Sequence, residues 1–143
     1  MRECLVDQFR KFLEEAGVEI RTSAQGKYFR ATKAGVSLVI LAHESTEVGW
    51  WGILKSHIDE LEKEAGKPEN NLKGWGSVLL HKGSSRGYWI KGENILELIR
   101  HSLVSLTGQG QYLFSDKVLE KRPVLAPYFF SVKGFLKLSG LPE

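Results

Sequence analysis

The sequence predicts a single α/β domain in which a mixed central sheet is flanked by helices. Segments with the apolar spacing of amphipathic helices alternate with short segments that are typical of β-strands. One of these, the continuous apolar run at 36–42, indicates a central strand that is buried on both faces. The chain has 143 residues, a length that is typical of one domain with its own core. We therefore expect residues 1–143 to form one domain.

The N-terminal half of the chain predicts a helix, a group of strands and a second helix. Apolar residues recur at helical spacing over 2–16, and Gly17 follows as a stop signal. Residues 18–45 predict two or three strands, with a turn at Gln25 and Gly26. In the stretch GWWG, we expect the two glycines to break the chain and the second helix to follow, with one of the two tryptophans packed inside and the other near the surface.

The C-terminal half predicts a hairpin followed by helices. WGSVLLHK and RGYWIKG flank the Gly- and Ser-rich turn GSS, as the two strands of a hairpin do. A third helix is predicted over 92–108, which completes a core at 1–108. Residues 109–143 are predicted to form a C-terminal helical extension, with a short helix after Ser115 and a final helix at the end.

Composition narrows the class of protein. Cys4 is the only cysteine, which excludes an internal disulfide framework and favours a reducing compartment. No run of about 18 apolar residues is present, and the N-terminal segment lacks the apolar core of a signal peptide. We therefore expect a cytoplasmic protein that has no membrane partner.

The charges are sorted along the chain. The net charge is only +3, but residues 20–43 and 70–92 contain no acidic side chain and hold several cations. These two segments are also the ones that predict strands, so we expect their cations to contact the phosphates of a nucleic acid. Aromatic rings beside them would stack on bases. The predicted nucleic-acid ligands are Arg21, Lys27, Tyr28, Arg30, Lys33, Lys82, Arg86 and Tyr88.

Two alternative interpretations of these residues stay open. Cations on a sheet edge also protect it against pairing with another chain, and aromatic residues most often pack a core. The four histidines have no metal-ligand spacing, and no nucleophile or phosphate-loop motif occurs, so no metal site is predicted.

The element order resembles that of the restriction-endonuclease-like, or PD-(D/E)XK, nucleases, in particular the Holliday-junction-resolvase branch. The similar part runs from residue 1 to about residue 100 and includes ECLVDQFRKFLEEAGVEIRTSAQGKYFRATKAGVSLVILAHES, GWWGILKSHIDELEK and WGSVLLHKG. The resemblance implies a restriction-endonuclease-like core and a nucleic-acid substrate.

The chemistry of that family implies an aspartate on one strand and an E-x-K motif on the next, which together hold Mg²⁺. This chain has no aspartate between Asp7 and Asp59, and Glu44 has no lysine two residues after it. A relocated catalytic set would consist of Glu3, Glu44 or Glu47, and Lys55. We therefore expect a protein that binds nucleic acid without a complete hydrolytic site and without a cofactor, and Mg²⁺ would be needed only by an active nuclease.

Two further functions remain as alternatives. The aromatic segment at 123–143 would let the chain act as a protein-interaction subunit, docking on a partner or on a second copy in a homodimer. The other alternative is an active Mg²⁺-dependent DNA endonuclease that uses the relocated set.

Overall fold

The computed structural model describes residues 4–23, 28–45, 49–82 and 87–143, and these ranges form a mixed α/β fold. None of the helices in these ranges is long and apolar enough to cross a membrane. The elements in chain order are α1 (Leu5–Glu15), β1 (Glu19–Thr22), β2 (Phe29–Lys33), β3 (Val36–Glu44), β4 (Trp50–Leu54), α2 (Lys55–Ala65), a 3₁₀ turn (Pro68–Asn70), β5 (Gly74–Leu80), β6 (Gly87–Lys91), α3 (Gly92–Arg100), β7 (Ser105–Leu106), β8 (Gln111–Ser115), α4 (Asp116–Leu119), β9 (Tyr128–Phe129) and α5 (Val132–Ser139).

The main sheet has six strands in the described part of the chain, in the order β1-β2-β3-β5-β6-β9. Strands β3 and β5 are parallel, and the other neighbours are antiparallel. The apolar run in β3 lies at the centre of this sheet, with the four residues from Leu38 to Leu41 buried. The predicted mixed central sheet and its buried central strand are therefore confirmed, as is the antiparallel pairing of β5 with β6, while the turns predicted at Gln25 and Gly26 and at 83–85 lie outside the described residues.

The two faces of the main sheet carry different layers. On the first, here called the α1 face, Phe9 and Leu13 of α1 lie one helical turn apart and pack with Phe135 of α5. On the second, here called the α2 face, Ile58 of α2 and Ile95 of α3 pack against the sheet. Each face is covered by a pair of helices, and each helix has one apolar stripe, as the spacing of apolar residues in the sequence predicts.

The stretch GWWG does not break the chain as predicted, because residues Trp50–Leu54 form strand β4. This strand pairs with β8, and with β7 it makes a second, three-stranded sheet over the α2 face. Alternation along β4 buries Trp51, which is 1% exposed, and leaves Trp50 50% exposed. The indole Nε1–H of Trp51 donates a hydrogen bond to the Leu80 carbonyl at 3.0 Å. The expectation that the two tryptophans face different environments is confirmed.

The predicted helical extension at 109–143 is incomplete. This segment does hold α4 and α5, but it also supplies β8 to the small sheet and β9 to the edge of the main sheet. The helix predicted over 92–108 ends at Arg100, because Ser102 adopts a positive φ of 56° and turns the chain towards β7. The segment after residue 108 is thus part of the packed domain.

Candidate functional site

Two arginines lie opposite each other on neighbouring strands. Arg21 of β1 and Arg30 of β2 are register partners, and Arg30 is also paired with Val39, which belongs to the core under α2. Side chains of directly opposed residues lie about 5 Å apart on the same face of a sheet. Both guanidinium groups therefore belong to the α2 face, at one end of the layer that α2 forms.

The charge of Arg30 is not compensated. Its side chain is half-buried and makes no hydrogen bond or ion pair within the described part of the chain. Arg21 contacts only Glu19 on its own strand, at 3.3 Å between Nε and Oε1, and both of these side chains are exposed. Like charges that face each other across two strands destabilise the pair. An anion placed between the two guanidinium groups would remove that cost.

The arginines line a small cleft, here called the Arg21–Arg30 cleft, of about 230 Å³. Tyr28 lies in its wall, and its hydroxyl donates to a Glu60 carboxylate oxygen at 3.5 Å. Burial, helped by the nearby carboxylates of Glu60 and Glu64, raises the pKa of Tyr28, so this side chain stays a neutral donor. Glu64 is in turn neutralised by Lys67 at 2.8 Å. The cleft thus offers unpaired positive charge beside a neutral hydroxyl.

The structure brings together only part of the predicted nucleic-acid set. Arg21, Tyr28 and Arg30 line one cleft. Lys33 instead points to the α1 face, because alternation along β2 puts it on the same side as Phe29, which belongs to the core of that face. There Lys33 lines a different groove, of about 610 Å³.

Those predicted ligands of the second acid-free segment, residues 70–92, that the structure describes do not line the Arg21–Arg30 cleft. Lys82 is exposed just beyond β5, where its backbone N–H donates to Ser45 Oγ at 2.9 Å. The stacking role predicted for Tyr88 is wrong, because the ring is only 3% exposed and belongs to the core of the α2 face. Lys27 and Arg86 lie outside the described residues.

The predicted catalytic set is not assembled in the described residues. Glu44 ends β3 and is paired with Leu80, which places it on the α1 face. Lys55 begins α2 on the opposite face and contacts Asp59 at 2.6 Å, and this hydrogen bond raises the pKa of Lys55. The sheet therefore separates Glu44 from Lys55. Glu3 and Glu47 lie outside the described residues.

The side chains that would hold Mg²⁺ do not come together in the described ranges. No group of three His, Cys, Asp or Glu side chains there is arranged to hold a metal ion. Strands β2 and β3, on which the resemblance places the metal ligands, contain Glu44 as their one acidic residue. The described residues do not fit a two-strand carboxylate site.

A half-buried histidine lies near the end of β3. His43 shares the α2 face with Leu41 by alternation. Burial lowers the pKa of His43 to about 4, and the neighbouring His57 adds to the shift. Its Nδ1 atom is buried and makes no hydrogen bond within the described part of the chain. A neutral imidazole at this position cannot contribute positive charge to the Arg21–Arg30 cleft.

A polar cluster that no sequence motif marks joins the end of β5 to β6 and α4. His81 Nε2 lies 2.8 Å from Asp116 Oδ1, and the Tyr88 hydroxyl donates to the same oxygen at 2.9 Å. Burial, followed by this hydrogen bond, raises the pKa of Tyr88. Trp51 packs edge-on against His81 at 5.3 Å between ring centroids. His81 and Asp116 are 35 positions apart, and no local pattern in the sequence links them.

Comparison with known proteins shows the fold but no close relative. No protein-family model and no curated protein matches the sequence. Among solved structures, the chain is similar to Hjc of Archaeoglobus fulgidus, a Holliday junction resolvase from an archaeal hyperthermophile. The identity is 10%, 96% of this chain and 93% of that chain are covered, and the TM-score is 0.59. The nuclease D212 from a fusselovirus is also similar, at 9% identity, over 96% of this chain and 88% of that one, with a TM-score of 0.43.

The resemblance that the element order predicts is therefore confirmed at the level of the fold. The similarity to Hjc spans nearly the whole of both chains. The chain has the nuclease-like α/β fold of a Holliday junction resolvase.

Proposed function

We propose that this protein binds nucleic acid through the Arg21–Arg30 cleft and lacks a complete hydrolytic site. The observation that carries the proposal is the uncompensated charge of Arg30 directly opposite Arg21. Guanidinium groups bind phosphate oxygens through paired, charge-assisted hydrogen bonds, so a backbone phosphate is an anion that suits this pair. Tyr28 lines the same cleft, where its hydroxyl donates to Glu60.

The fold supports the same proposal. The chain is similar in fold to Hjc, a Holliday junction resolvase, so another protein of this architecture acts on a nucleic acid. In this chain β2 and β3 hold one acidic residue, and the sheet separates that residue from Lys55. Binding without hydrolysis is the function that this combination favours.

A salt titration of binding tests the proposal. A labelled DNA duplex is titrated with the protein at several salt concentrations, and the affinity is followed by fluorescence anisotropy. Each neutralised phosphate contributes a slope of about −0.9 to the plot of log affinity against log salt. We expect Arg30→Ala to reduce the slope by about one phosphate contact. The matched control is Arg100→Ala, which removes an exposed arginine that pairs with Glu97 on α3. Binding that is absent, or that does not respond to salt, contradicts the proposal.

Only a few exposed side chains support a partner-docking function for the described residues 123–143. Phe129, Phe135 and Leu141 of this segment are buried against the chain's own sheet. Val124 and Phe130 are exposed, at 87% and 68%. These two side chains would carry any docking on a second copy or a protein partner. Light scattering of the intact chain and of a Phe130→Ser variant tests this, because an unchanged monomeric mass argues against self-association.

A further inference from the structure

The cleft beside His81 is the second polar site of the α2 face. It has a volume of about 510 Å³, within the range of pockets that hold small ligands. It is lined by His81, Asp116, Glu120, Tyr128 and Phe130, among others, and the rings of His81 and Tyr128 pack edge-on at 6.2 Å between centroids. We call this the His81 cleft. Its walls combine aromatic rings with hydrogen-bond acceptors.

The imidazole of His81 is held in one orientation. A carboxylate accepts hydrogen bonds, so His81 Nε2 donates to Asp116 Oδ1 at this contact. The other ring nitrogen, Nδ1, makes no hydrogen bond within the described part of the chain. The His81 side chain is 22% exposed. A ligand in the cleft would therefore meet an imidazole that Asp116 orients and whose Nδ1 is open to a hydrogen bond.

The aromatic wall of the cleft extends to the surface. Tyr128 packs edge-on against Tyr88 at 5.0 Å and against Phe130 at 4.8 Å between ring centroids. Tyr128 is thereby braced from the core side, while Phe130 is 68% exposed. An exposed ring beside an acceptor-rich cleft suits a planar ligand that stacks and donates hydrogen bonds.

We infer that the His81 cleft holds an unpaired nucleobase of a bound single strand. This inference rests on the proposed function of nucleic-acid binding and names the kind of nucleic acid. Nucleobases present a π-face for stacking and N–H groups for acceptors such as His81 Nδ1 and the Glu120 carboxylate. The carboxylates of Asp116 and Glu120 disfavour a phosphate inside the cleft, which leaves the base as the part that enters.

Exposed lysines adjacent in sequence to cleft residues favour a nucleotide over a cationic side chain of a protein. Lys117 and Lys121 follow Asp116 and Glu120, respectively, and both are exposed. Positive charge on these segments favours the phosphates next to an inserted base over an arginine-bearing peptide.

Both clefts lie on the α2 face of the main sheet, at different heights along β3. Arg30 is opposite Val39, whereas His81 follows Leu80, which is paired with Glu44 at the end of β3. The offset along the strands is on the order of 20 Å, and two strand spacings, on the order of 10 Å, separate β2 from β5. A bound strand of several nucleotides would be needed to contact both clefts.

Comparing a single strand with a duplex tests the inference. Anisotropy titrations at one salt concentration use a labelled single strand and a fully paired hairpin of the same composition. We expect Phe130→Ala to weaken single-strand binding about tenfold and to leave duplex binding unchanged, because one stacked base is lost. His81→Ala should act in the same direction. The control is Val124→Ala, which truncates an apolar side chain that is 87% exposed and does not line the cleft.

The outcomes separate this inference from the proposed function. If the protein binds duplex and single strand but Phe130→Ala and His81→Ala change neither affinity, the inference is overturned and the proposed function stands. If neither nucleic acid binds, both fall. In NMR titrations, His81 ring signals that respond to N-acetylarginine amide and not to nucleosides would overturn the inference in favour of a peptide ligand.

Discussion

The half-buried His43, whose pKa is lowered by desolvation, predicts a measurable loss of stability in mild acid. The folded protein holds the pKa of His43 at about 4, compared with an ordinary value of 6.5. Below pH 6.5 the unfolded chain therefore takes up a proton that the folded chain does not, and the free energy of unfolding falls until the pH reaches the folded pKa. From these two values, the loss between pH 7 and pH 5 is about 2 kcal/mol. The free energy of unfolding is therefore highest above about pH 6.5, as far as His43 is concerned, and it decreases as the pH falls towards 4.

Urea unfolding at pH 7 and at pH 5 measures this effect when the protein is compared with His43→Leu. Leucine suits the buried site and cannot titrate, so we expect the variant to lose about 2 kcal/mol less between the two pH values. The carboxylates titrate in both proteins, so their contribution to the pH dependence of the free energy of unfolding cancels in the comparison. His101→Gln is the control, since His101 is exposed and contacts Glu97. Equal losses in the intact protein and in His43→Leu would refute the assignment of the shift to His43.

Three other substitutions probe the packing and the chemistry. Gly49→Ala should destabilise the fold by about 1–3 kcal/mol, because Gly49 has a φ of +67° and an added Cβ would overlap the Asp116 carboxylate. Urea unfolding measures this, and an unchanged midpoint would contradict it. Trp51→Phe should cost about 1–3 kcal/mol, because the buried Leu80 carbonyl loses the indole donor, and a thermal melt that is not lowered would count against the bond. Cleavage assays on branched DNA with Mg²⁺ should show no hydrolysis by the intact protein, whereas activity that Glu44→Ala abolishes would establish the active-nuclease alternative.

The predicted phosphate-binding surface illustrates how far residue patterns reach. Alternation along β2 puts Arg30 on the α2 face with Tyr28 and Lys33 on the α1 face, although the acid-free segment by itself groups all three as ligands of one nucleic acid. The opposition of Arg21 and Arg30 depends on the register between two strands. Register is set by which residues the neighbouring strands and helices bury, so the local sequence does not contain it.

The environment of Tyr88, in contrast, cannot be predicted from the residue pattern around it. Its position in a basic, acid-free segment predicts an exposed ring, but β6 lies inside the sheet between β5 and β9, under a layer of helices. Strand β9 comes from residues 128–129, far along the chain, and covers an edge that the hairpin alone would leave open. The burial of Tyr88 is a consequence of that late strand.

The sequence by itself determined the amphipathic helices, the buried central strand and the nuclease-like order of elements, because apolar periodicity is a local property of the chain. Only the tertiary structure decided that Trp50–Leu54 is a strand, that Glu44 and Lys55 lie on opposite faces, and that His81 contacts Asp116. Each of these depends on a partner that is distant in sequence, and such partners are selected by the packing of the whole domain rather than by local preference.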